Sequence, residues 1–416
     1  MEDKTPRYSI AIDLGTTTIG LSLVEIEAKE VVAREFVENP QRRWGADILS
    51  RLSAIEREPS LLKAMQQATV EVCQNAIKGL LKKAGVEEGL LAKIHCAGNP
   101  VMEHIFLGIS PLSIARVPYK PAFRKAKRAG VAECGFDLPH HVVVYTFPLV
   151  SGFVGGDAVA SFFALPDVDG VILIDIGTNS EIILSFGNDI YATSAPAGSV
   201  FEGGDISCGM APVEGAIERV EITEEGVKVE TIGGRRPAGL TGSAFAETVA
   251  GLISNGIIDS SGRIKEPDEI YTNLASRVKS IGGKRAFVLY RDAKGELSVI
   301  QDDVRLFQLA KASIRAGTEI LLKRAGLEKT AINKVYVTGS FGVRLSKEVL
   351  TKTGIVGKEF FGKIEFFRDG ALRGVERSLL EENGACRVEA LAESIKYVPL
   401  SGTRAFEKEF TREINF

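Results

Sequence analysis

Cysteine is scarce and scattered in this chain. The five cysteines, Cys73, Cys96, Cys134, Cys208 and Cys386, include no C-x-x-C pair. Iron–sulfur clusters and structural zinc sites normally draw on close pairs, so the pattern argues against a cluster or zinc site built within this one chain. It fits buried thiols in a reducing cytosol. Histidine is equally sparse, with four residues, and no His/Cys grouping has metal-ligand spacing. No segment reaches the roughly 18 apolar residues that a membrane span requires. Nor is a secretory signal evident, because Met1 to Arg7 is polar and the apolar stretch after it is short. The net charge of −3 exerts no broad pull toward nucleic acid. The expectation is a cytoplasmic protein that binds neither nucleic acid nor membrane.

What is present is an ordinary globular mix, 45% hydrophobic and 25% charged, over 416 residues. That length exceeds one compact core and predicts two lobes of about 150–200 residues. The expected division is 1–165, with insertions near 38–59 and 98–141, and 166–416. In the first half, strands are expected at Tyr8–Leu14, Ile19–Ile26 and Val31–Val37. An irregular segment over 38–59 follows, then a helix from Leu61 to Ala84 that stops at Gly85. The second half opens in the same way, with a strand ending on Asp175, a Gly/Thr turn, and strands at Glu181–Phe186 and Ile190–Ser194. Later come a long helix near Arg305–Ala325 and a strand Lys334–Thr338 running into a Gly-rich turn. Self-similarity over so long a period points to a duplicated α/β domain rather than a solenoid.

The two opening turns carry the chemistry. Asp13-Leu14-Gly15-Thr16-Thr17 and Asp175-Ile176-Gly177-Thr178-Asn179 each follow an apolar strand. The strand delivers a carboxylate, Asp13 or Asp175, to the sheet edge, where it can hold Mg²⁺ mainly through water. Glycine lets the backbone approach phosphate oxygens, and the turn's N–H groups and hydroxyls donate to them. Gly15, Thr16, Thr17, Thr18, Gly177, Thr178 and Asn179 are therefore candidate phosphate ligands. One such turn is no more than a common β-turn; two, each opening a half, predict a triphosphate clamped from both sides. Asp157, in Gly155-Gly156-Asp157, is the candidate for ordering an attacking water, its plain alternative being a carboxylate at a helix start.

These features resemble the ATPase fold shared by actin, sugar kinases and Hsp70, which implies an α/β architecture of two related lobes with a nucleotide cleft. By that resemblance Gly339, Ser340 and Gly342 line the adenosine, and Lys311, Arg315 and Glu319 flank it, although a solvated helix face would read the same way. Gly203 and Gly204, in GSVFEGGD, resemble the loop that closes over phosphate in Hsp70-type ATPases.

A narrower likeness rests on NPQRRWGADILSRL (Asn39–Leu52), on AGNPVMEHIFLGISPLSIARVPYKPAF (Ala97–Phe123), and on DIGTNSEI, AGSVFEGGDISCGM, GLTGSAFAETVAGLI and LAKASIRAGTEILL. These are similar to the ATPase domain of the reductive activators of corrinoid-dependent enzymes. The resemblance implies ATP-dependent return of a corrinoid protein from Co(II) to Co(I), with a homodimer as the family's habit. Family members commonly carry an iron–sulfur domain; without a cysteine cluster, the electron here is expected from a separate low-potential donor. A stand-alone ATPase, a fragment of a longer activator, and an ATPase with another task all fit. So do two other functions, a small-molecule kinase and a nucleotide-gated assembly protein. Trp44, Asn99, Met102, His104 and Phe106, in the family-specific segments, are the candidate partner contacts.

Overall fold

The computed structural model describes residues 6–416. The described residues divide into two compact units, the first comprising residues 6–167 and 369–397, the second 168–368 and 398–416.

In the first unit, strands β1 (Tyr8–Leu14), β2 (Thr18–Glu25) and β3 (Glu30–Glu38) form an antiparallel meander. Strand β4 (Leu91–Gly98) runs parallel to β1, β6 (Val143–Thr146) parallel to β4, and β5 (Lys127–Gly130) closes the edge. Helix α1 (Ile48–Arg57) starts on a capping box between Asp47 and Ser50. This corrects the irregular segment expected over 38–59. Helix α2 (Leu61–Ala84) runs as expected and ends at Gly85, whose φ of +68° is the left-handed conformation that glycine adopts without strain. Its buried stripe of Met65, Cys73, Ala76, Ile77, Leu80 and Leu81 covers the sheet. Helices α3 (Pro100–Phe106), α4 (Val131–Cys134) and α5 (Gly156–Phe163) complete this part of the chain.

The second unit opens with β7 (Val171–Asp175), β8 (Asn179–Phe186) and β9 (Asp189–Pro196). Two smaller sheets follow, one with β10 (Ala216–Thr223), β11 (Gly226–Thr231) and β12 (Gly239–Leu240), the other with β13 (Val278–Ile281), β14 (Lys284–Asp292) and β15 (Gly295–Ile300). The first unit's order β3-β2-β1-β4-β6 recurs here as β9-β8-β7, followed by β16 (Lys334–Thr338) and β17 (Ile364–Phe366). In both units the first three strands are antiparallel and two further strands, β4 and β6 or β16 and β17, join in parallel. The duplication expected from the two Asp/Gly/Thr turns is therefore a duplication of topology. Helices α6 (Gly242–Ser254), α7 (Gln301–Ala325) and α8 (Lys347–Lys352) belong to this unit.

The division expected at 165/166 misses one return of the chain. Helices α9 (Gly370–Leu380) and α10 (Gly384–Ser394) lie in the first unit. There Glu376, buried on α9, accepts hydrogen bonds from both Arg34 nitrogens at 2.7 Å and from Ser22 at 2.5 Å. Arg377 donates to the carbonyls of Phe163 and Leu165 at 2.7 and 2.9 Å, closing the end of α5. The remaining helix, α11 (Arg404–Arg412), packs on α7 in the second unit.

Of the cysteines, Cys73, Cys96 and Cys134 are buried in the first unit as expected, whereas Cys386 on α10 is exposed. Among the described residues, no helix is long and apolar enough to cross a membrane.

Candidate functional site

The second unit gathers its candidate residues at one end of its main sheet. Strand β7 ends on Asp175, which pairs in register with Thr338 at the end of parallel β16. Two turns therefore leave the sheet side by side at the carboxyl ends of parallel strands, where open α/β sheets bind ligands. The Ile176 N–H donates to Thr338 O at 3.2 Å. Gly339 has φ +87°, and a Cβ there would stand 2.5 Å from Asp175 Oδ1 and 2.6 Å from Ile176 O. Only glycine permits this approach. Gly177, Thr178, Asn179 and Ser340 lie on the same two turns, with Asn179 and Ser340 exposed. Gly342 is a correction. It is buried beneath its turn, where a Cβ would meet Val337 Cγ1 at 2.7 Å, so it serves packing and is not a lining residue.

Glu202 was missed by the sequence reading. Thr178 donates its N–H to Glu202 Oε1 at 3.1 Å, and its hydroxyl donates to the same oxygen. The Gly198 N–H donates to Thr178 O at 2.8 Å, and the Gly204 N–H to Ser199 O at 2.9 Å. The segment Gly198–Asp205 therefore does meet the turn, with Gly203 and Gly204 directly following Glu202. One carboxylate oxygen therefore accepts from both Thr178 donors, a charge-assisted pair. The signal for Glu202 in the sequence is Phe201-Glu202-Gly203, where the acidic residue stands beside the glycines.

Lys311, Arg315 and Glu319 occupy one face of α7, and all three are buried. Their partners are protein groups of the same unit. Lys311 donates to the carbonyl of Asn415 and lies over the Phe416 ring at 5.4 Å. Burial pulls its ammonium down to about 8. Arg315 pairs with Glu413 at 3.1 Å, Glu319 at 3.3 Å and Glu359 at 3.6 Å, and Lys329 pairs with Glu319 at 2.6 Å. These charges tie the end of the chain to α7.

In the first unit, the turn Gly15-Thr16-Thr17 is braced from behind by the family-specific segments. A Cβ at Gly15 would stand 2.3 Å from Thr18 O, so this tight turn requires glycine. The Asn39 amide donates to Gly15 O at 2.8 Å, and the Asn39 N–H to Thr17 O at 2.9 Å. Arg51, on α1, donates to Thr16 O at 2.6 Å. Asn99 reaches the Thr16 hydroxyl at 3.1 Å and also caps α3, accepting from the Met102 N–H at 3.0 Å. Asn99 thus serves the turn.

Met102, His104 and Phe106 are corrected as partner contacts, because all three are buried. Met102 packs under the turn, with Sδ 3.2 Å from Arg51 Nη1. Phe106 meets Phe136 edge-on in the core. The His104 ring ties Pro100 to the segment at Ala122: Nδ1–H donates to Pro100 O at 2.5 Å, and Nε2 accepts the Ala122 N–H at 3.0 Å. Burial lowers its pKa, in keeping with an Nε2 that must stay unprotonated to accept. Trp44 is half-buried, with the Arg43 guanidinium 3.8 Å above its ring.

Asp157 sits in the first turn of α5, with Oδ1 accepting the Ala158 N–H at 2.8 Å. Its unforeseen neighbour is Glu103. That carboxyl is fully buried, accepts the Gly98 N–H at 3.1 Å through Oε1, and leaves Oε2 without a partner. A Cβ at Gly156 would stand 2.2 Å from Glu103 Oε1, and one at Gly155 2.7 Å from Asp157 Oδ1. The glycine pair thus lets two carboxyl groups crowd one helix start. Burial pushes Asp157 up to about 6. Burial, with the Asp157 charge nearby, drives Glu103 well above the usual carboxylate range.

Each unit presents one hard carboxylate, Asp13 or Asp175, at a strand end, which is how Mg²⁺ is held when it keeps most of its water.

Known proteins resemble the chain over nearly its whole length. Residues 8–166 match the family described as the RACo middle region, and residues 169–416 match the C-terminal domain of RACo, the ASKHA domain. The chain is 28% identical over 399 residues to the corrinoid activation enzyme RamQ of Eubacterium limosum, a match covering 92% of this chain and 66% of that protein. It is 20% identical over 451 residues to the Co(II) methylated amine-specific corrinoid protein reductase of Methanosarcina barkeri, covering 98% and 77%. Among solved structures, a reductive activator for corrinoid, iron–sulfur protein superimposes with a TM-score of 0.81 at 29% identity, over 100% of this chain and 67% of that one. The chain therefore spans about two thirds of the length of RamQ. The duplicated topology is that of the actin-like ATPase fold, and this chain belongs to the RACo family, carrying its middle region and its ASKHA domain.

Proposed function

We propose that the chain is the ATP-driven part of a reductive activator, which helps return a corrinoid protein from Co(II) to Co(I). The observation that carries this reading is the pair of Asp/Gly/Thr turns on duplicated sheets, the first braced by Asn39 and Arg51, in a chain of the RACo family. In each unit the strand-end carboxylate, Asp13 or Asp175, would supply a hard oxygen to a hydrated Mg²⁺, which neutralises phosphate charge. Thr16, Thr17, Thr178 and Asn179 donate to the phosphates. Gly203, Gly204, Gly339 and Ser340 lie along the nucleotide, and Glu202 yields the Thr178 donors when phosphate arrives. Asp157 orients the water that attacks the terminal phosphate.

The electron comes from a separate low-potential donor. The chain's own contribution is differential binding of its partner's two states. Each tenfold preference for the Co(I) form raises the one-electron potential by about 59 mV. A preference of about 10⁴ would raise it by roughly 240 mV.

The deciding experiment is anaerobic absorbance of a Co(II) corrinoid protein mixed with this chain and a low-potential chemical reductant, with and without Mg·ATP. Co(I) forming only with chain and ATP together is the expected result. Unchanged cobalt spectra despite demonstrated ATP binding would overturn the activator reading.

Gly339 offers a local check on the nucleotide turn. Gly339→Ala places a methyl on Asp175 Oδ1 in a left-handed conformation. That costs about 1–2 kcal/mol in backbone strain alone. Its Kd for Mg·ATP by titration calorimetry should rise about tenfold or more; an unchanged Kd would remove this turn from the nucleotide site.

A further inference from the structure

We infer that Arg51 is a positioning residue for the phosphates of ATP, acting through the Thr16 peptide; the inference rests on the ATP-binding reading above. The Arg51 side chain is fully buried. Its donors go to neutral acceptors: Nε to Gly45 O at 3.0 Å, Nη1 to Gln41 Oε1 at 3.2 Å, and Nη2 to Thr16 O at 2.6 Å. Among the described residues, no carboxylate stands within ion-pair distance of it. Asp47 acts on it only from farther off, and Arg42 adds like charge. Burial lowers its pKa to about 10, so it remains a cation at neutral pH.

A buried cation without a counter-ion is costly, typically by several kcal/mol. Stability alone is a poor account of it, since an apolar side chain of similar size would fill the space without that cost. The contact at Thr16 supplies the other account. In a trans peptide the C=O and the following N–H point to opposite sides. Arg51 draws electron density from the Thr16 carbonyl and so strengthens the Thr17 N–H as a donor. Asn39, donating to Gly15 O, does the same for the Thr16 N–H. With both carbonyls turned back toward the brace, both N–H groups face the opposite side, as successive donors do in an anion-binding backbone nest. Asn99 fixes the Thr16 hydroxyl alongside. A bound triphosphate then provides the counter-charge that the protein withholds from Arg51.

The test compares Arg51→Met and Arg51→Lys with the unmodified chain, measuring Kd for Mg·ATP and for adenosine by calorimetry. Arg51→Met should weaken ATP at least about tenfold while leaving adenosine within about twofold. Arg51→Lys, which keeps the charge, should recover most of the preference for ATP. Should the methionine variant not fold, Arg51→Gln, a neutral donor, is read in its place and should show the same selective loss. Equal weakening of ATP and adenosine, or no change in either, would overturn the inference and leave Arg51 a packing residue. An unmodified chain that binds neither ligand would instead overturn the ATP reading, and this inference with it.

Discussion

Replacing Gly374 by alanine should strongly destabilise the first unit. Gly374 lies on α9 where that helix crosses α5, and a Cβ there would stand 1.8 Å from Ala160 O and 2.3 Å from Ala160 C. The obstacle is helix backbone, which cannot rotate aside as a side chain could. Relief requires the helices to part, and α9 also holds the buried Glu376 against Arg34 and Ser22. Overpacking of this kind costs about 3 kcal/mol. In a unit of this size that lowers the melting temperature by roughly 6–12 °C. Scanning calorimetry should show the loss in the transition of the first unit. A variant melting within about 1 °C of the unmodified chain would mean that the two helices do not cross as described.

Asp157→Asn should abolish most ATP hydrolysis while sparing ATP binding. Asparagine has nearly the same shape and can still accept the Ala158 N–H, but it cannot accept a proton from water. Loss of a positioned base typically lowers turnover by 10²–10⁴-fold. The pH dependence gives a second reading. Burial raises the folded pKa of Asp157 to about 6. Its carboxylate is therefore the minor form below pH 6, and hydrolysis should rise with pH through this range and level off above it. The stability linkage has the opposite sign. Between the unfolded carboxylate pKa, near 3.9, and about 6, the folded chain holds the extra proton, so this group's contribution to stability declines as pH rises through that window. A D157N variant that hydrolyses ATP at the original rate, or whose pH–rate profile keeps the same rise near 6, would assign the base elsewhere. Glu103 would then be the next residue to test.

The legible parts of this protein were those whose cause is local. Helix α2 was placed to the residue because its apolar spacing and the terminal Gly85 both lie within the segment itself. Strands β1 and β7 and their turns were read correctly because an apolar run ending in Asp, followed by Gly and Thr, encodes its own geometry. Helix α1 escaped because Asn39-Pro40 and Gly45 resemble loop chemistry, while the capping box of Asp47 and Ser50 was not weighed.

Residues whose role depends on burial were misjudged for a different reason. Met102, His104 and Phe106 look like interface residues in sequence, yet they fill space beneath the Thr16 turn and within the core.

The sequence by itself determined the two Asp/Gly/Thr turns at strand ends, the duplicated order of strands and the family, because each is written within a few consecutive residues or repeated across the halves. Only the tertiary structure decided that Arg51 and Asn39 brace the first turn, that Glu202 stands on Thr178, that Glu103 crowds Asp157, and that α9 belongs to the first unit. These facts turn on groups tens to hundreds of residues apart in the chain. Whether a carboxyl or guanidinium lies buried depends on what folds over it, and no local spacing records that.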